Sequence, residues 1–295
     1  MNGRWITRAA RVRATGLSCA RRFTVALVNK PPLLALWLLA VLLPASGADG
    51  PAPGPVRVVG ANGAGCIAGA VALPTDGVGF QEIRIGRSSF WGHPGTVASL
   101  ELLAREAHAA GLPDLYMNDI AAPRGGPIPG HAGHEIGLEA DIWLDVTPKP
   151  PLPPAMREEL EPPSVVRPDG RGVDPVVWRP AHATLLRLAA GLAEVERIFV
   201  NPAIKRQLCE TATGDRRWLR LIRPWYGHAS HFHIRFRCPA DQAECVQAAA
   251  VPPGDGCDAT LQWWFDQLDR PAPPAPPRPP APLPAACRAI MAAPG

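Results

Sequence analysis

Two short segments of the sequence are rich in histidine and together hold five of the eight histidines in the chain. They also concentrate the side chains that can bind a metal ion or move a proton: His131, His134, Asp141, His228, His231 and His233. Imidazole and carboxylate groups are the usual ligands of catalytic zinc, and histidine is the commonest general base. The two segments therefore predict a catalytic metal site.

The second of these segments has the alternation of a half-buried β-strand. Alternate side chains of a strand share a face, so His231, His233 and Arg235 point one way, as does Arg237. The apolar side chains that then face the core are Phe232, Ile234 and Phe236. Two histidines on one polar face suit a metal ligand beside a second functional group. Histidines that merely face solvent are the alternative.

The first segment places His134 and Asp141 seven residues apart. A turn through Gly137 followed by a strand over Ala140–Leu144 brings the two side chains together. A carboxylate at the start of a buried strand needs a partner, and a cation would serve. Polar residues on the surface are the alternative interpretation.

Combined, His134, Asp141 and His233 form a set of two histidines and one carboxylate. Three protein ligands with a fourth position open to water are typical of catalytic zinc, whereas structural zinc usually takes four protein ligands, often cysteines. We therefore expect catalytic rather than structural zinc.

The elements that must position these residues predict an α+β fold. Proline and glycine make up 65 of 295 residues, which argues against a helical bundle. Helices are predicted over 97–107, after Thr96 as N-cap, and over 182–195. Strands are predicted over 140–144, 197–200 and 231–237, and a long loop over 146–180. We expect a small antiparallel β-sheet with flanking helices and long loops, stapled by disulfides.

Residues 1–47 read as a secretory signal peptide, with an uncleaved membrane anchor as the alternative. Seven basic residues and no acidic ones precede an apolar run of 11 residues, 33–43, which is shorter than the roughly 20 that span a bilayer. Removing those seven positive charges changes the net charge from +4 to −3. Nothing then indicates nucleic-acid binding, and no stable membrane anchor remains.

The mature chain, 48–295, is predicted to be a single domain that carries the zinc site. It keeps six of the seven cysteines, an even number that indicates a disulfide framework in an exported protein but leaves the pairing open. Residues 270–286 are rich in proline and predict an extended strap, fastened through Cys287.

The sequence resembles the penicillin-insensitive murein endopeptidases, zinc peptidases of the lysostaphin and D-Ala-D-Ala metallopeptidase group. The family motif of His, six residues and Asp matches His134 to Asp141, and its His-x-His motif matches 231–233. Further similarity lies in 197–205, 218–220, 223–225, 237–241 and 252–257, and the resemblance covers roughly residues 60–290.

The resemblance implies a zinc enzyme that cuts the D-alanyl–meso-diaminopimelyl cross-link of peptidoglycan in the periplasm. It implies metal ligation by His134, Asp141 and His233, and a further histidine near the metal, His131. It assigns His231 the role of base and His228 that of a second catalytic histidine. The disulfides that it implies are Cys66–Cys287, Cys209–Cys257 and Cys238–Cys245.

Three positions depart from the family pattern. Gly133 and Glu139 stand where the family often has Ser and Asp, and Gly172 stands where some members carry a histidine that binds a second metal. We therefore expect the primary metal site to be complete. The glycine at 172 argues against a second site but leaves the question open, with Asp169 as a weak ligand there.

Several alternatives remain open at this level. A related zinc D,D- or L,D-carboxypeptidase and a catalytically silent wall-binding protein compete with the endopeptidase. Arg223, Arg235 and Arg237 are candidates to bind substrate carboxylates, with surface or structural ion pairs as the alternative. Trp143 and Trp225 are candidates to shape the groove, with core packing as the favoured prediction. The oligomeric state is open, and a dimer is compatible with the sequence.

Overall fold

A computed structural model describes residues 50–270 and 281–294 of the chain. The signal peptide predicted over 1–47 and most of the predicted strap lie outside the described residues, so the domain boundaries stay predictions. The described strands are β1 (Arg57–Ala61), β2 (Ala64–Ala68), β3 (Val71–Ala72), β4 (Asp76–Gly77), β5 (Phe80–Glu82), β6 (Trp91–Gly92), β7 (Leu115–Asn118), β8 (Glu139–Trp143), β9 (Val195–Val200), β10 (Ile222–Pro224) and β11 (His231–Phe236). The described helices are α1 (Pro94–Ala109), α2 (Pro180–Gly191), α3 (Pro202–Thr211), α4 (Ala259–Asp269) and α5 (Cys287–Ala292).

A mixed sheet of seven strands forms the centre of the fold, in the order β10-β9-β11-β8-β7-β5-β4. Two of its six pairings, β9 with β10 and β5 with β7, are parallel, and the other four are antiparallel. The α+β class is confirmed. The sheet is broader than expected, because short strands without a clear alternation, such as β5 and β10, extend it on both sides.

The two strands that carry the histidine segments are neighbours near the middle of this sheet. In the antiparallel register of β8 and β11, His233 faces Asp141 and Arg235 faces Glu139. Phe232 and Ile234 are fully buried in the core on the other face, as the alternation predicts. Burial of these apolar side chains fixes the register, since a slip of one residue would turn the histidines into the core.

Helix α1 begins earlier than the sequence predicts. The N-cap is His93, whose Nδ1 atom accepts a hydrogen bond from the Gly95 amide at 3.0 Å. Thr96 is instead buried in the first turn, so its prediction as N-cap is wrong. Pro94 occupies the first helical position, where its fixed φ and missing N–H are favourable.

The second predicted helix is shorter at its C-terminus than expected. α2 ends at Gly191, and Val195 already begins β9. Between 146 and 179 the backbone forms one short 3-10 turn, Pro154–Arg157, and an isolated bridge of Val166 to Val173. The long loop is therefore confirmed.

Three disulfides tie the loop-rich periphery to this framework. The pairs are Cys66–Cys287, Cys209–Cys257 and Cys238–Cys245. They are the pairs that the resemblance implies. The first joins α5 to β2 across 221 residues of sequence. Within the described ranges, no helix has the length and apolar character needed to cross a membrane.

Candidate active site

Asp141, on β8, lies at the centre of the histidine cluster. Its Oδ1 atom is 3.1 Å from His233 Nδ1 and 3.5 Å from His134 Nε2. Burial opposes ionisation of this carboxyl, but the imidazoles of His134, His131 and His233 outweigh it and hold its pKa well below the usual range. Asp141 is therefore an anion on which several ring nitrogens converge.

The ring of His134 is oriented by the backbone of Ile120. Its Nδ1 atom lies 3.2 Å from the Ile120 carbonyl oxygen, which can only accept, so the neutral ring carries its proton on Nδ1. The lone pair of Nε2 then points at Asp141 Oδ1. Among the described residues, His134 Nε2 is a buried atom with no hydrogen-bond partner. A cation between the two atoms would satisfy both.

The ring of His233 is oriented in the same way from the opposite side. Its Nε2 atom lies 2.9 Å from Glu139 Oε1, so a neutral ring donates there and turns the lone pair of Nδ1 towards Asp141. Burial opposes charge on this ring, yet Glu139 and Asp141 raise the pKa of His233 to about 9. The position thus favours a positive charge, whether a proton or a metal ion supplies it.

Glu139 supports the cluster from below. Its carboxylate accepts from Arg235 Nε at 2.7 Å and from the His134 amide at 2.5 Å, besides its contact with His233. Burial would raise its pKa, but the neighbouring His233 and Arg235 lower the pKa below the usual range. Such carboxylates behind a ligand histidine fix its tautomer and orientation.

The departures at Gly133 and Glu139 are physically linked. A Cβ atom at position 133 would lie 2.7 Å from Glu139 Oε2 and 3.2 Å from Oε1. The longer glutamate therefore occupies the space that a serine at 133 would need. The two residues together replace the Ser and Asp of the family pattern.

His131 approaches Asp141 from the loop before β8. Its Nε2 atom is 3.5 Å from Asp141 Oδ2 and 3.7 Å from Asp119 Oδ2. Potential ligand atoms of His131, His134 and Asp141 all lie within 4.8 Å of one another. The donor set of imidazoles and one carboxylate fits zinc.

His231 and His228 complete the cluster on its exposed side. His231 Nε2 is 3.7 Å from Asp141 Oδ2, and the ring centroids of His228 and His231 are 5.0 Å apart. Burial lowers the pKa of His231, and burial together with His231 and His233 lowers the pKa of His228 to about 4. Both rings are therefore neutral near pH 7.

Two cavities, of about 680 and 570 Å³, meet at this cluster. His131, Asp141 and His231 line both of them. Residues that line only the first cavity include Arg84, Arg87, Asp119 and Trp143. Residues that line only the second include Phe199, Trp225, His228, His233 and Arg235. An extended ligand could therefore pass from one cavity to the other across the cluster.

The predicted accessory residues divide between the site and the periphery. Arg235 lines the second cavity, whereas Arg237 Nη1 donates to the Ala193 carbonyl away from it. Arg223 lines neither cavity. Trp143 is buried but forms part of the first cavity wall, as expected of a core residue that shapes the groove. Trp225 is 54% exposed, so its prediction as a core residue is wrong.

Sequence reasoning missed the residues that approach the cluster from the segments following β5 and β7. Asp119 accepts hydrogen bonds from Ser89 Oγ at 2.6 Å and Arg87 Nη1 at 3.0 Å. Arg84 lies over the Trp143 ring at 5.3 Å. No local spacing connects them with the histidine segments, which are distant in sequence.

Strained backbone concentrates around the cluster. The non-glycine residues with positive φ in the described parts of the chain are Arg84, Ser88, Asp119, His134 and His228. Four of these five line the two cavities. Each costs on the order of 1–3 kcal/mol and persists only where the surroundings enforce it. Such strain is typical of functional sites.

The comparisons with known proteins agree over most of the chain. A family model described as penicillin-insensitive murein endopeptidase matches residues 58–292. A protein of that name from Haemophilus influenzae is 44% identical over 252 residues, which cover 82% of this chain and 84% of its own. One from Klebsiella pneumoniae is 41% identical, covering 82% of this chain and 88% of its own. One from Yersinia pestis is 39% identical, covering 90% and 94%.

The family-model match spans both histidine segments and all six cysteines of the three disulfides. The comparisons confirm the resemblance and the expectation of a hydrolytic enzyme. The chain belongs to the penicillin-insensitive murein endopeptidase family.

Proposed function

We propose that the chain is a zinc-dependent endopeptidase that hydrolyses the D-alanyl–meso-diaminopimelyl cross-link of peptidoglycan. The observation that carries this proposal is the convergence of His134 and His233 on Asp141 between two cavities. The curated relatives are named murein endopeptidases, and murein is the polymer that contains this cross-link.

The metal would be held by His134 Nε2, Asp141 Oδ1 and His233 Nδ1, with His131 beside Asp141 as a further ligand. The lone pair of His134 Nε2 points at Asp141 without a hydrogen-bond partner, and His233 Nδ1 lies 3.1 Å from the same carboxylate, so a cation between these atoms would bond to all three. When bound, zinc polarises the scissile carbonyl and lowers the pKa of a coordinated water towards neutrality. Glu139 keeps His233 in the ligating tautomer.

His231 is the base in this proposal. It shares a strand face with His233 and lies 3.7 Å from Asp141, within reach of a water beside the metal. Its lowered pKa leaves the ring neutral near pH 7 and able to accept a proton. After accepting the water proton, the ring returns it to the leaving amine.

His228 positions His231 rather than stabilising an oxyanion. Its Nδ1 atom lies 3.1 Å from the Tyr226 carbonyl oxygen, so a neutral ring donates there and keeps a lone pair on Nε2. Such a ring can accept a hydrogen bond from His231 but cannot donate one to a developing negative charge.

The two cavities suit an endopeptidase better than a carboxypeptidase. A carboxypeptidase needs one blocked end with a group that binds the terminal carboxylate, whereas here the substrate can extend on both sides of the cluster. Arg87 is about half exposed and has donors left after its bond to Asp119. It can bind a carboxylate of the diaminopimelyl residue in the first cavity.

The proposed substrate sets the proposed location. Peptidoglycan lies outside the cytoplasmic membrane, so the enzyme must be exported to the periplasm, as the basic and apolar leader 1–47 predicts. The six cysteines of the mature chain, all in disulfides, fit that oxidising compartment.

Digestion of purified cross-linked muropeptide dimers tests this proposal. The mature chain should convert dimers to monomers, and a chelator should abolish the reaction. Loss of a terminal alanine without loss of the cross-link would support the carboxypeptidase instead. Unchanged dimers with zinc-loaded protein would contradict both activities.

A further inference from the structure

Beside the second cavity lies an aromatic platform, defined as Trp225, Tyr226, Trp263 and Trp264. The large aromatic side chains that the described residues expose are Trp225, Tyr226 and Trp263, at 54, 40 and 53%. All three therefore belong to this one patch. Exposed aromatic clusters on a soluble protein usually mark an interaction site.

Trp264 joins these rings into one surface. Its ring centroid is 4.9 Å from that of Tyr226, 5.3 Å from Trp263 and 5.9 Å from Trp225. The Tyr226 hydroxyl donates to the Trp264 carbonyl, which ties the loop after β10 to α4. The helix itself is anchored by Leu261 and Phe265, which are buried on its other side.

The platform continues the proposed substrate groove. Trp225 is both a wall of the second cavity and a member of the platform. A polymer whose peptide lies at the histidine cluster therefore meets these rings where it leaves the cavity. In peptidoglycan, each peptide is attached to a glycan strand of β-linked N-acetylhexosamines, so the part of the polymer that reaches the rings is the glycan.

The chemistry of the surface fits a sugar. The C–H faces of pyranose rings are apolar and weakly positive, and they match the negative faces of aromatic rings. The indole N–H and phenol O–H groups at the ring edges can bond to hydroxyl and acetamido groups. The exposed α4 side chains beside the rings, Gln262 and Asp266, are neutral and acidic, and the nearby Arg206 donates to Gln262. This is not the cluster of basic side chains that favours an anionic lipid surface.

We propose that this aromatic platform binds the glycan strand of peptidoglycan by stacking and holds the enzyme on the polymer while the histidine cluster acts on the peptide. The choice of glycan rests on the proposed function, because that function names the polymer. The platform residues Trp263 and Trp264 line neither cavity, so their contribution can be measured apart from hydrolysis.

Binding of a peptide-free hexamer of β-1,4-linked N-acetylglucosamine to the mature chain tests the proposal, by calorimetry and tryptophan fluorescence. Trp263→Ala combined with Trp264→Ala should weaken binding about tenfold. Trp263→Phe keeps an aromatic face and should retain most of the affinity. Met156→Ala removes an exposed apolar side chain outside the platform and should change nothing.

Equal hexamer affinity in the wild type and the double variant would overturn the proposal, as would no binding by the wild type at millimolar sugar. A concentration-dependent dimer that Trp263→Ala abolishes, without sugar binding, would assign the platform to a second copy of the chain. Because the hexamer contains no peptide, its binding does not depend on hydrolysis. Cleavage of free muropeptide dimers without hexamer binding would contradict the platform proposal alone. Hexamer binding without cleavage of the dimers would contradict the proposed function alone.

Discussion

Two clusters of buried charge lie against the same sheet, and only one of them has the form of an active site. Around Asp141, ring nitrogens converge on one carboxylate between two cavities. Around Arg157, which is 1% exposed, the guanidinium donates to the Glu82 carbonyl at 2.8 Å and contacts Asp76 at 3.0 Å. Both clusters contain buried polar atoms without a hydrogen-bond partner, namely His134 Nε2, Glu82 Oε1 and Arg157 Nε.

The difference between the clusters lies in direction and access. In the first, the unpartnered Nε2 atom of His134 points at Asp141 between the two cavities, so an added cation would bond to both groups. In the second, a cation is already part of the cluster, and neither Glu82 nor Arg157 lines the two cavities. Buried charge is therefore weak evidence for function, unless polar atoms without a hydrogen-bond partner converge at a place that a ligand can enter.

The largest expected effect is the loss of the metal. His134→Ala should reduce both the zinc content and muropeptide cleavage, the latter by about a thousandfold or more, because it removes a ligand. Metal analysis and product chromatography measure the two effects. His108→Ala, which removes an exposed histidine from α1, is the matched control and should retain full activity. Full zinc content in His134→Ala would remove His134 from the ligand set.

The next largest effect should separate the base from the ligands. His231→Ala should keep stoichiometric zinc yet lose about 10²- to 10⁴-fold in kcat, because the proton acceptor is gone. Metal analysis of the purified variant and steady-state kinetics on muropeptide dimers check both parts. Wild-type turnover by this variant would show that another group takes the proton.

A smaller effect concerns the linked pair behind His233. Gly133→Ser should crowd Glu139 and lower zinc affinity or activity by about 10- to 100-fold, as usual for groups that orient a ligand. Adding Glu139→Asp shortens the carboxylate and should restore most of the loss. If the double variant is no better than Gly133→Ser alone, the two positions are not coupled through this contact.

The second cluster should affect stability and its pH dependence, but not catalysis. Burial raises the pKa of Glu82 to about 8, against about 4.3 in the unfolded chain. The stability that the protonated form contributes is fully present below about pH 4.3 and is lost as the pH rises through about 8.

Glu82→Gln should therefore be more stable than the wild type at pH 9, by at least about 2 kcal/mol, and the difference should shrink towards pH 5. Urea unfolding at several pH values measures it. Muropeptide cleavage at pH 7 should be unchanged. A stability difference that does not vary with pH would contradict the assignment of this titration to Glu82.

The candidate site residues that the sequence predicts are those that lie close to one another along the chain. The spacing of two along β11 places His231 and His233 on one face, and the turn at Gly137 returns the chain to Asp141. Glu139 was noticed only as a departure, although its spacing of two from Asp141 on β8 places it on the same face.

The remaining features depend on contacts between distant segments. Asp119 and Arg87 line the first cavity because β5 pairs with β7, which brings together the loops that follow these two strands. No motif links either residue to the histidines. The breadth of the sheet came from short strands such as β10, which hold their place through tertiary contacts rather than intrinsic alternation. The correct start of α1 could have been predicted from the sequence, because proline at position 94 favours the first helical position.

Titration of zinc into metal-free protein tests the central claim most directly. Cleavage of purified muropeptide dimers should be absent before addition, rise in proportion to added zinc and saturate at one equivalent per chain. The His134→Ala variant should show no such saturation. Undiminished cleavage by the metal-free wild-type protein would contradict the account, because the histidine cluster would then act without the metal ion that we propose it binds.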